Sequence, residues 1–117
     1  MADAEMGFTI DPVDGTLNFA NGLATFGVIL SMTRYGTPVF GLIYDPITDE
    51  VMTADDTSHT QVTSPGRPSR KVSVSKGGAI ETLCGFASFY NLPKEKRAQM
   101  ATLMTRFQRM TMLGCSA

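Results

Sequence analysis

The sequence predicts a protein of mixed α and β structure whose strands are mainly antiparallel. Three observations support this class. Hydrophobicity alternates over residues 23–33, the connections that follow are only a few residues long, and apolar residues recur at helical spacing behind Pro93. Connections this short join antiparallel neighbours, because a parallel crossover needs about a dozen residues or more. We therefore expect an antiparallel meander and at least one packed helix.

The first strand is short and leads into an acidic segment. Residues 8–10 are apolar and are followed by Asp11 and Pro12, a turn-forming pair. We expect the strand to be buried and to end at this pair. Residues 15–21 are then expected to form a tight turn and a short helix.

The meander consists of three predicted strands, at residues 23–33, 39–44 and 50–54. In the first of these strands every second residue is apolar, which places one set of side chains on a single face. That set is Phe26, Val28, Leu30 and Met32. Turns are expected at residues 35–38 and 45–49.

The second half of the chain begins with a polar stretch. Residues 55–70 are rich in Ser, Thr and Pro, and we interpret them as a long exposed loop. Residues 79–86 and 111–113 are candidate strands. Behind Pro93, which suits a first helical turn, apolar side chains recur at the i, i+3, i+4, i+7 spacing of one helix face, and we expect this stripe to pack into the core. The stripe comprises Met100, Leu103, Met104 and Phe107.

Composition limits the possible functions. The chain has 117 residues, enough for one small domain, and a formal net charge of -1, which argues against binding to nucleic acid or to an anionic membrane. It contains no apolar run near the roughly 20 residues that span a bilayer. Cys84 and Cys115 are far apart, which favours free thiols in a reducing cytoplasm. With His59 as the single histidine, a Ser-His-Asp triad is disfavoured.

The segment that is most informative about function is residues 11–19, with the sequence Asp-Pro-Val-Asp-Gly-Thr-Leu-Asn-Phe. Its simplest interpretation is a turn, because Asp-Pro and Asp-Gly are common turn pairs. The chain offers its own comparison at residues 45–49, Asp-Pro-Ile-Thr-Asp, which share the opening but not the Gly-Thr or Asn-Phe that follow. We interpret this second copy as an ordinary hairpin turn.

The first copy also has the composition of a metal and phosphate site. Asp11 and Asp14 flank a proline-stiffened bend, so their carboxylates and the Val13 carbonyl can converge on a hard cation such as Mg2+. Gly15 permits close backbone approach. If a helix begins here, the amides of Gly15 and Thr16 and the helix N-terminus favour a phosphate group. From the residues alone, a metal–phosphate site and a structural turn both remain open.

Residues 11–19 resemble the D-P-[IL]-D-G-T-x-N-F signature of the inositol monophosphatase family, matching every fixed position. The similarity continues through residues 21–22, 26–28 and 41–46. It returns at residues 113–117, Leu-Gly-Cys-Ser-Ala, which are similar to the family's G-[ST]-A-A segment. The resemblance implies the layered α/β (α+β) sandwich of inositol monophosphatases and fructose bisphosphatases. It also implies Mg2+-dependent hydrolysis of a small phosphomonoester, and the homodimers that are common in the family.

The resemblance also implies roles for individual residues. Asp11 matches a carboxylate that bridges two metal ions, the Val13 carbonyl matches a ligand of the first ion, and Asp14 matches a ligand of the second. Gly15 and Thr16 match positions whose amides bind the substrate phosphate beside Asp14, with the Thr16 hydroxyl near the attacking water. In such a mechanism metal-activated water attacks phosphorus in line, without a covalent intermediate.

Gly114, Cys115 and Ser116 match the stretch that surrounds the leaving group of the substrate. The family usually has a small hydroxyl residue or alanine where this chain has Cys115, so the resemblance leaves substrate specificity open.

Two further metal ligands of the family are not matched. One is a glutamate in an upstream G-E-E-like segment, and Glu5 lacks that context. The other is an aspartate in a downstream W-D-x-A-like segment, and the chain contains no tryptophan. We therefore expect residues 1–117 to be a partial domain that lacks its N-terminal and C-terminal portions. Alone, it should fold poorly, bind Mg2+ weakly and show little phosphatase activity.

Other functions stay open. A histidinol-phosphatase or a 3'(2'),5'-bisphosphate nucleotidase shares D-P-x-D-G-T, although Asn18 and Phe19 favour an inositol phosphatase. A different class is a non-catalytic remnant that retains the fold as a structural or interaction domain.

Overall fold

The computed structural model describes residues 5–89 and 92–112, and the chain forms two compact units, one up to Val74 and one from Ser75. In the described part of the first unit, six strands form one sheet in the order β1-β2-β3-β4-β5-β6, with every neighbouring pair antiparallel. The strands are β1 (Met6–Asp14), β2 (Gly27–Arg34), β3 (Thr37–Asp45), β4 (Glu50–Asp55), β5 (Gln61–Thr63) and β6 (Arg70–Lys71), with helix α1 (Thr16–Ala20) between β1 and β2.

The predicted antiparallel meander is confirmed, but β1 does not stop at Asp11 as expected. It continues through Pro12 to Asp14. Proline is tolerated here because β1 is an edge strand of the sheet and because Pro12 lies where the register with β2 shifts, so no ladder hydrogen bond requires its missing N–H.

The start of β2 was also predicted too early. Residues 23–26 are not part of the strand, which begins at Gly27. The Leu23 amide donates to the Asn18 carbonyl over 2.9 Å, and the Thr25 carbonyl accepts from the Asn18 side chain over 2.8 Å. The backbone of this stretch is therefore bonded to α1.

The prediction of one long loop over residues 55–70 was wrong in its second half. β5 and the first residue of β6 lie within it, and Val62, opposite Met52 of β4, is only 7% exposed. The segment looks polar because Val62 is its sole apolar residue between Thr60 and Ser64. Threonine nevertheless favours strands, and one inward-pointing side chain is enough for a three-residue strand.

The register of β1, β2 and β3 places most of their large apolar side chains on one side of the sheet, which we call the apolar face. Directly paired residues share a face, and residues two apart on a strand return to it. On β1 this face is open, with Phe8 62% and Ile10 64% exposed, so the expectation that the first strand is buried was wrong. The apolar face comprises Phe8, Ile10, Val28, Leu30, Met32, Phe40, Leu42 and Tyr44.

The second unit contains a parallel strand pair, in which β7 (Cys84–Ala87) lies beside β8 (Arg109–Met112). Helix α2 (Lys94–Met104) lies between them in sequence, as a parallel connection requires. Only the second half of the strand expected at residues 79–86 forms, because a 3-10 turn occupies Ile80–Thr82. The strand expected at residues 111–113 is β8, although Leu113 lies outside the described residues.

The helix predicted behind Pro93 is confirmed, but its apolar stripe is not a buried core within the described residues. Leu103 is 41% exposed, and Met100 and Met104 are half-buried. Phe107, the last member of the stripe, follows the end of the helix. The helix spacing was correct, and the depth of burial was overestimated.

Candidate functional site

A β-bulge brings the two motif aspartates to the same face of the sheet. Asp11 pairs with Ile29 and Asp14 pairs with Gly27, so three steps along β1 match two steps along β2. In a regular strand, residues three apart point to opposite faces. The extra residue restores Asp14 to the face of Asp11, which is the one opposite the apolar face. The register thus places on one face of the sheet the two aspartates whose convergence the sequence predicts.

Two hydrogen bonds hold the backbone within the bulge. The Val13 amide donates to Asp11 Oδ1 over 3.1 Å, and the Thr16 hydroxyl donates to the Val13 carbonyl over 2.9 Å. The first bond orients the Asp11 carboxylate, and the second links the motif's backbone oxygen to its hydroxyl. A carbonyl oxygen has two lone pairs, so the Val13 oxygen can still accept a second partner such as a cation.

The second Asp-Pro segment has the same local chemistry and a different outcome. Asp45 Oδ1 accepts from the amides of Ile47 and Thr48 over 2.8 and 3.3 Å, which lowers the pKa of Asp45, chiefly through the Ile47 amide. The chain then passes through Asp49, with φ of 56°, directly into β4. This segment joins two antiparallel strands, so its interpretation as an ordinary hairpin turn is confirmed.

The first copy diverges at Gly15. Gly15 is buried and left-handed, with φ of 83° and ψ of 33°, and it precedes α1. Its carbonyl accepts the Phe19 amide over 3.0 Å, which starts the helix. Because α1 has only five residues, its dipole is small. An anion held at this end of the helix would therefore depend on the individual amides of Gly15 and Thr16.

The exposure of the carboxylates suits contact with a solute. Asp11 is exposed and Asp14 is half-buried. Over residues 5–89 and 92–112, no group of three or more His, Cys, Asp or Glu side chains is placed to hold a metal ion. Two carboxylates and one carbonyl fit a hard cation in the type of donor, and Mg2+ often binds through one or two carboxylates with water and substrate phosphate.

Several other residues singled out in the sequence lie away from this motif or outside the described part. Gly114, Cys115 and Ser116 lie outside the described residues. Cys84 is a free, exposed thiol, as expected. His59 is exposed in the turn region between β4 and β5.

Neither α1 nor α2, the helices of the described residues, is long and apolar enough to cross a membrane.

One residue of the motif has a place that sequence reasoning missed. Asn18 is 2% exposed, the most buried side chain among the described residues, although its neighbours Leu17 and Phe19 are exposed. In the sequence Asn18 is a polar residue in a short helix, a context that usually indicates exposure. Its side chain is bonded to the Thr25 carbonyl, seven residues farther along the chain, and this contact is not visible in the sequence.

One known protein family matches this sequence along the whole chain. The sequence profile described as "Inositol monophosphatase family" matches residues 1–117. An inositol-1-monophosphatase of Mesorhizobium japonicum is 40% identical over 53 residues, which are 45% of this chain and 20% of that protein. A Pasteurella multocida protein named Nus factor SuhB is 42% identical over 52 residues, 44% of this chain and 20% of that protein.

Solved structures show the same fold. The extragenic suppressor protein suhB of Bartonella henselae aligns with a TM-score of 0.80 at 28% identity, covering 98% of this chain and 43% of that one. The IMPase of Thermotoga maritima aligns with a TM-score of 0.77 at 25% identity, covering 97% and 42%. The mixed α/β fold with a mainly antiparallel sheet is therefore confirmed, and the chain spans less than half the length of these solved relatives.

Proposed function

Because this chain belongs to the inositol monophosphatase family, we propose that it carries the metal- and phosphate-binding segment of a Mg2+-dependent phosphomonoesterase. Membership of the family supports phosphatase chemistry. The observation that carries the assignment to these residues is the bulge of β1, which places Asp11 and Asp14 on one face immediately before Gly15.

Each residue of the motif has a distinct task in this proposal. The carboxylates of Asp11 and Asp14 and the Val13 carbonyl hold the cation. The amides of Gly15 and Thr16 donate to phosphate oxygens. A bound divalent cation supplies Lewis acidity, which polarises the phosphoryl group and acidifies water.

Thr16 orients the attacking water in this scheme. Its hydroxyl proton is directed to the Val13 carbonyl over 2.9 Å. A hydroxyl keeps two acceptor lone pairs, so Thr16 Oγ1 can accept a hydrogen bond from water. The proton given up by that water passes to solvent or to a carboxylate of the site. No side chain of the motif acts as a covalent nucleophile.

We propose an inositol phosphate as the substrate and metal ligands in addition to Asp11, Val13 and Asp14. Two carboxylates bind Mg2+ only weakly, so residues 1–117 alone should show little turnover. Some relatives of the chain are named Nus factor SuhB, and no contact of the described motif residues favours a role of that kind for this chain. Substrate profiling against inositol phosphate, histidinol phosphate and adenosine bisphosphate tests the choice of substrate.

The test of the site compares Asp11→Asn with Asp45→Asn. Both aspartates precede a proline and accept an amide from the residue two positions later. We expect Asp11→Asn to weaken Mg2+-dependent binding of inorganic phosphate at least about tenfold, since even outer groups of metal sites are worth 10–100-fold. Asp45→Asn should leave it unchanged.

Binding is measured by NMR titration of amide-labelled chain, which detects millimolar dissociation constants. Equal losses in the two variants would contradict the assignment of Asp11 to the cation. Robust Mg2+-dependent hydrolysis of inositol phosphate by the 117-residue chain would contradict the need for further ligands.

A further inference from the structure

The buried amide of Asn18 has a structural cost that its bonds must offset. The side chain is 2% exposed within a five-residue helix whose large apolar side chains, Leu17 and Phe19, are exposed. Burying an amide is unfavourable unless its polar atoms find hydrogen-bond partners. The identity of those partners therefore indicates what the residue holds in place.

Asn18 is bonded to the residues that follow α1 through both its side chain and its backbone. Asn18 Nδ2 donates to the Thr25 carbonyl over 2.8 Å. The Asn18 carbonyl accepts the Leu23 amide over 2.9 Å. One residue thus connects α1 to the segment that returns to the sheet.

This connection lies inside a closed excursion that carries the proposed phosphate-binding amides. Asp14 pairs with Gly27, so the twelve residues from 15 to 26 leave the sheet at one paired position and return at its partner. Residues 15–21, which include Gly15, Thr16 and α1 with its C-cap, form the outgoing limb, and residues 22–26 form the returning limb. Asn18 joins the two limbs through polar bonds, and an edge-on contact of the rings of Phe19 and Phe26, 5.0 Å between centroids, joins them again.

We infer that Asn18 is a positioning residue for the phosphate site. Its buried amide fixes the outgoing limb of the excursion against the returning limb and thereby holds the amides of Gly15 and Thr16 in their binding orientation. Asn18 does not contact the ligand in this scheme. The inference rests on the proposed function, because the ligand in question is the phosphate group assigned to those amides.

The chain offers a matched control in Asn21. Asn21 Nδ2 donates to the Leu17 carbonyl over 2.8 Å, so it is a second asparagine that bonds α1 through its side chain. Asn21, however, is exposed and spans only four residues within one limb. Asn18→Ala removes the amide-to-carbonyl bond to Thr25, which joins the limbs, whereas Asn21→Ala removes an amide-to-carbonyl bond within one limb.

Two measurements on the full 117-residue chain separate positioning from general stability. The first is hydrogen exchange of individual amides without ligand. The second is NMR titration with inorganic phosphate in the presence of Mg2+, followed at Gly15 and Thr16. The amides of β3 and β4, which lie outside the excursion, serve as the internal reference for global unfolding.

For Asn18→Ala we expect the Phe19 and Leu23 amides to exchange about tenfold faster or more, because a buried bond between the limbs is lost. The amides of β3 and β4 should keep their wild-type rates, and phosphate should bind about tenfold more weakly. Asn21→Ala should change both quantities less than about twofold, as for a solvent-exposed bond.

Three results would overturn the inference. A uniform increase of exchange that includes β3 and β4 would show a general structural role. Unchanged exchange would show that Asn18 does not join the limbs, and faster exchange with unchanged phosphate affinity would show that the join does not position the amides. If phosphate does not shift the NMR signals of the Gly15 and Thr16 amides in the wild-type chain, the proposed function is wrong. The exchange measurement alone then decides whether Asn18 joins the limbs.

Discussion

The substitution Gly15→Ala tests whether the backbone turn after the two aspartates determines phosphate binding. Gly15 has φ of 83° and ψ of 33°, in the left-handed region. An L-residue costs about 1–2 kcal/mol in this region because its Cβ approaches the following carbonyl oxygen. Alanine therefore favours a relaxed backbone at this position. Relaxation turns the adjacent peptide planes, which carry the amides of Gly15 and Thr16.

The magnitude follows from the conformational cost. A penalty of about 1–2 kcal/mol lowers the ratio of native to relaxed turn by roughly 5- to 30-fold. We expect the affinity for inorganic phosphate in the presence of Mg2+ to fall by up to this factor, because only the native turn presents both amides. NMR titration of the 117-residue chain measures this affinity, and urea unfolding measures the loss of stability.

Gly36→Ala provides the control. Gly36 lies in the turn between β2 and β3, outside the excursion of residues 15–26. It has φ of 79°, and a Cβ added there meets no atom within 4 Å, so alanine has a similar backbone cost without a clash. Both variants should lose similar stability, and only Gly15→Ala should lose phosphate affinity. If Gly36→Ala weakens phosphate binding as much as Gly15→Ala, the effect is one of stability and the reasoning is wrong.

Two further predictions concern stability. Gly27→Ala should lower the free energy of unfolding by about 1–3 kcal/mol, because its Cβ would lie 3.0 Å from the carbonyl oxygen of Tyr44. Gly41→Ala, with open space around its Cβ, should lower it by less than about 1 kcal/mol. Urea unfolding midpoints compare the two variants, and equal losses of stability would contradict the clash at Gly27. Hydroxyl and amide groups, chiefly those of Thr57, lower the pKa of Asp55 from 3.8 to about 2. Since this pKa is lowered on folding, its contribution to stability is present above pH 3.8 and is lost as pH falls through about 2. Asp55→Asn should therefore be less sensitive to acid in this window, and NMR titration of the Asp55 carboxylate at its ordinary pKa would contradict the prediction.

The elements that were predicted correctly depend on short-range information. Alternation and turn residues located β2, β3 and β4, and Pro93 with the apolar spacing located α2. Their boundaries were less accurate where a distant partner decides them. Residues 23–26 alternate like a strand, but bonds from Asn18 hold them against α1. β5 forms because Val62 meets Met52 across the sheet, which its polar neighbours do not indicate.

The chemical character of the candidate site was visible in the order of its residues. Two aspartates, a glycine and a threonine within six positions provide carboxylates, backbone access and a hydroxyl, whatever fold surrounds them. The second Asp-Pro segment shows the limit of this reasoning. Both segments form the same aspartate-to-amide bond, and only the residues that follow decide between a helix and a hairpin.

By itself, then, the sequence determined the class of the fold, the order of most strands and the donor types of the site, because these follow from local propensity and side-chain chemistry. Only the tertiary structure decided which face each aspartate occupies, because one extra residue in β1 relative to β2 reverses the alternation between Asp11 and Asp14. It also decided that Asn18 is buried and bonded to the Thr25 carbonyl, because that contact depends on the course of the chain after α1. Pairing and enclosure join residues that are distant in sequence, and for that reason they cannot be derived from either segment alone.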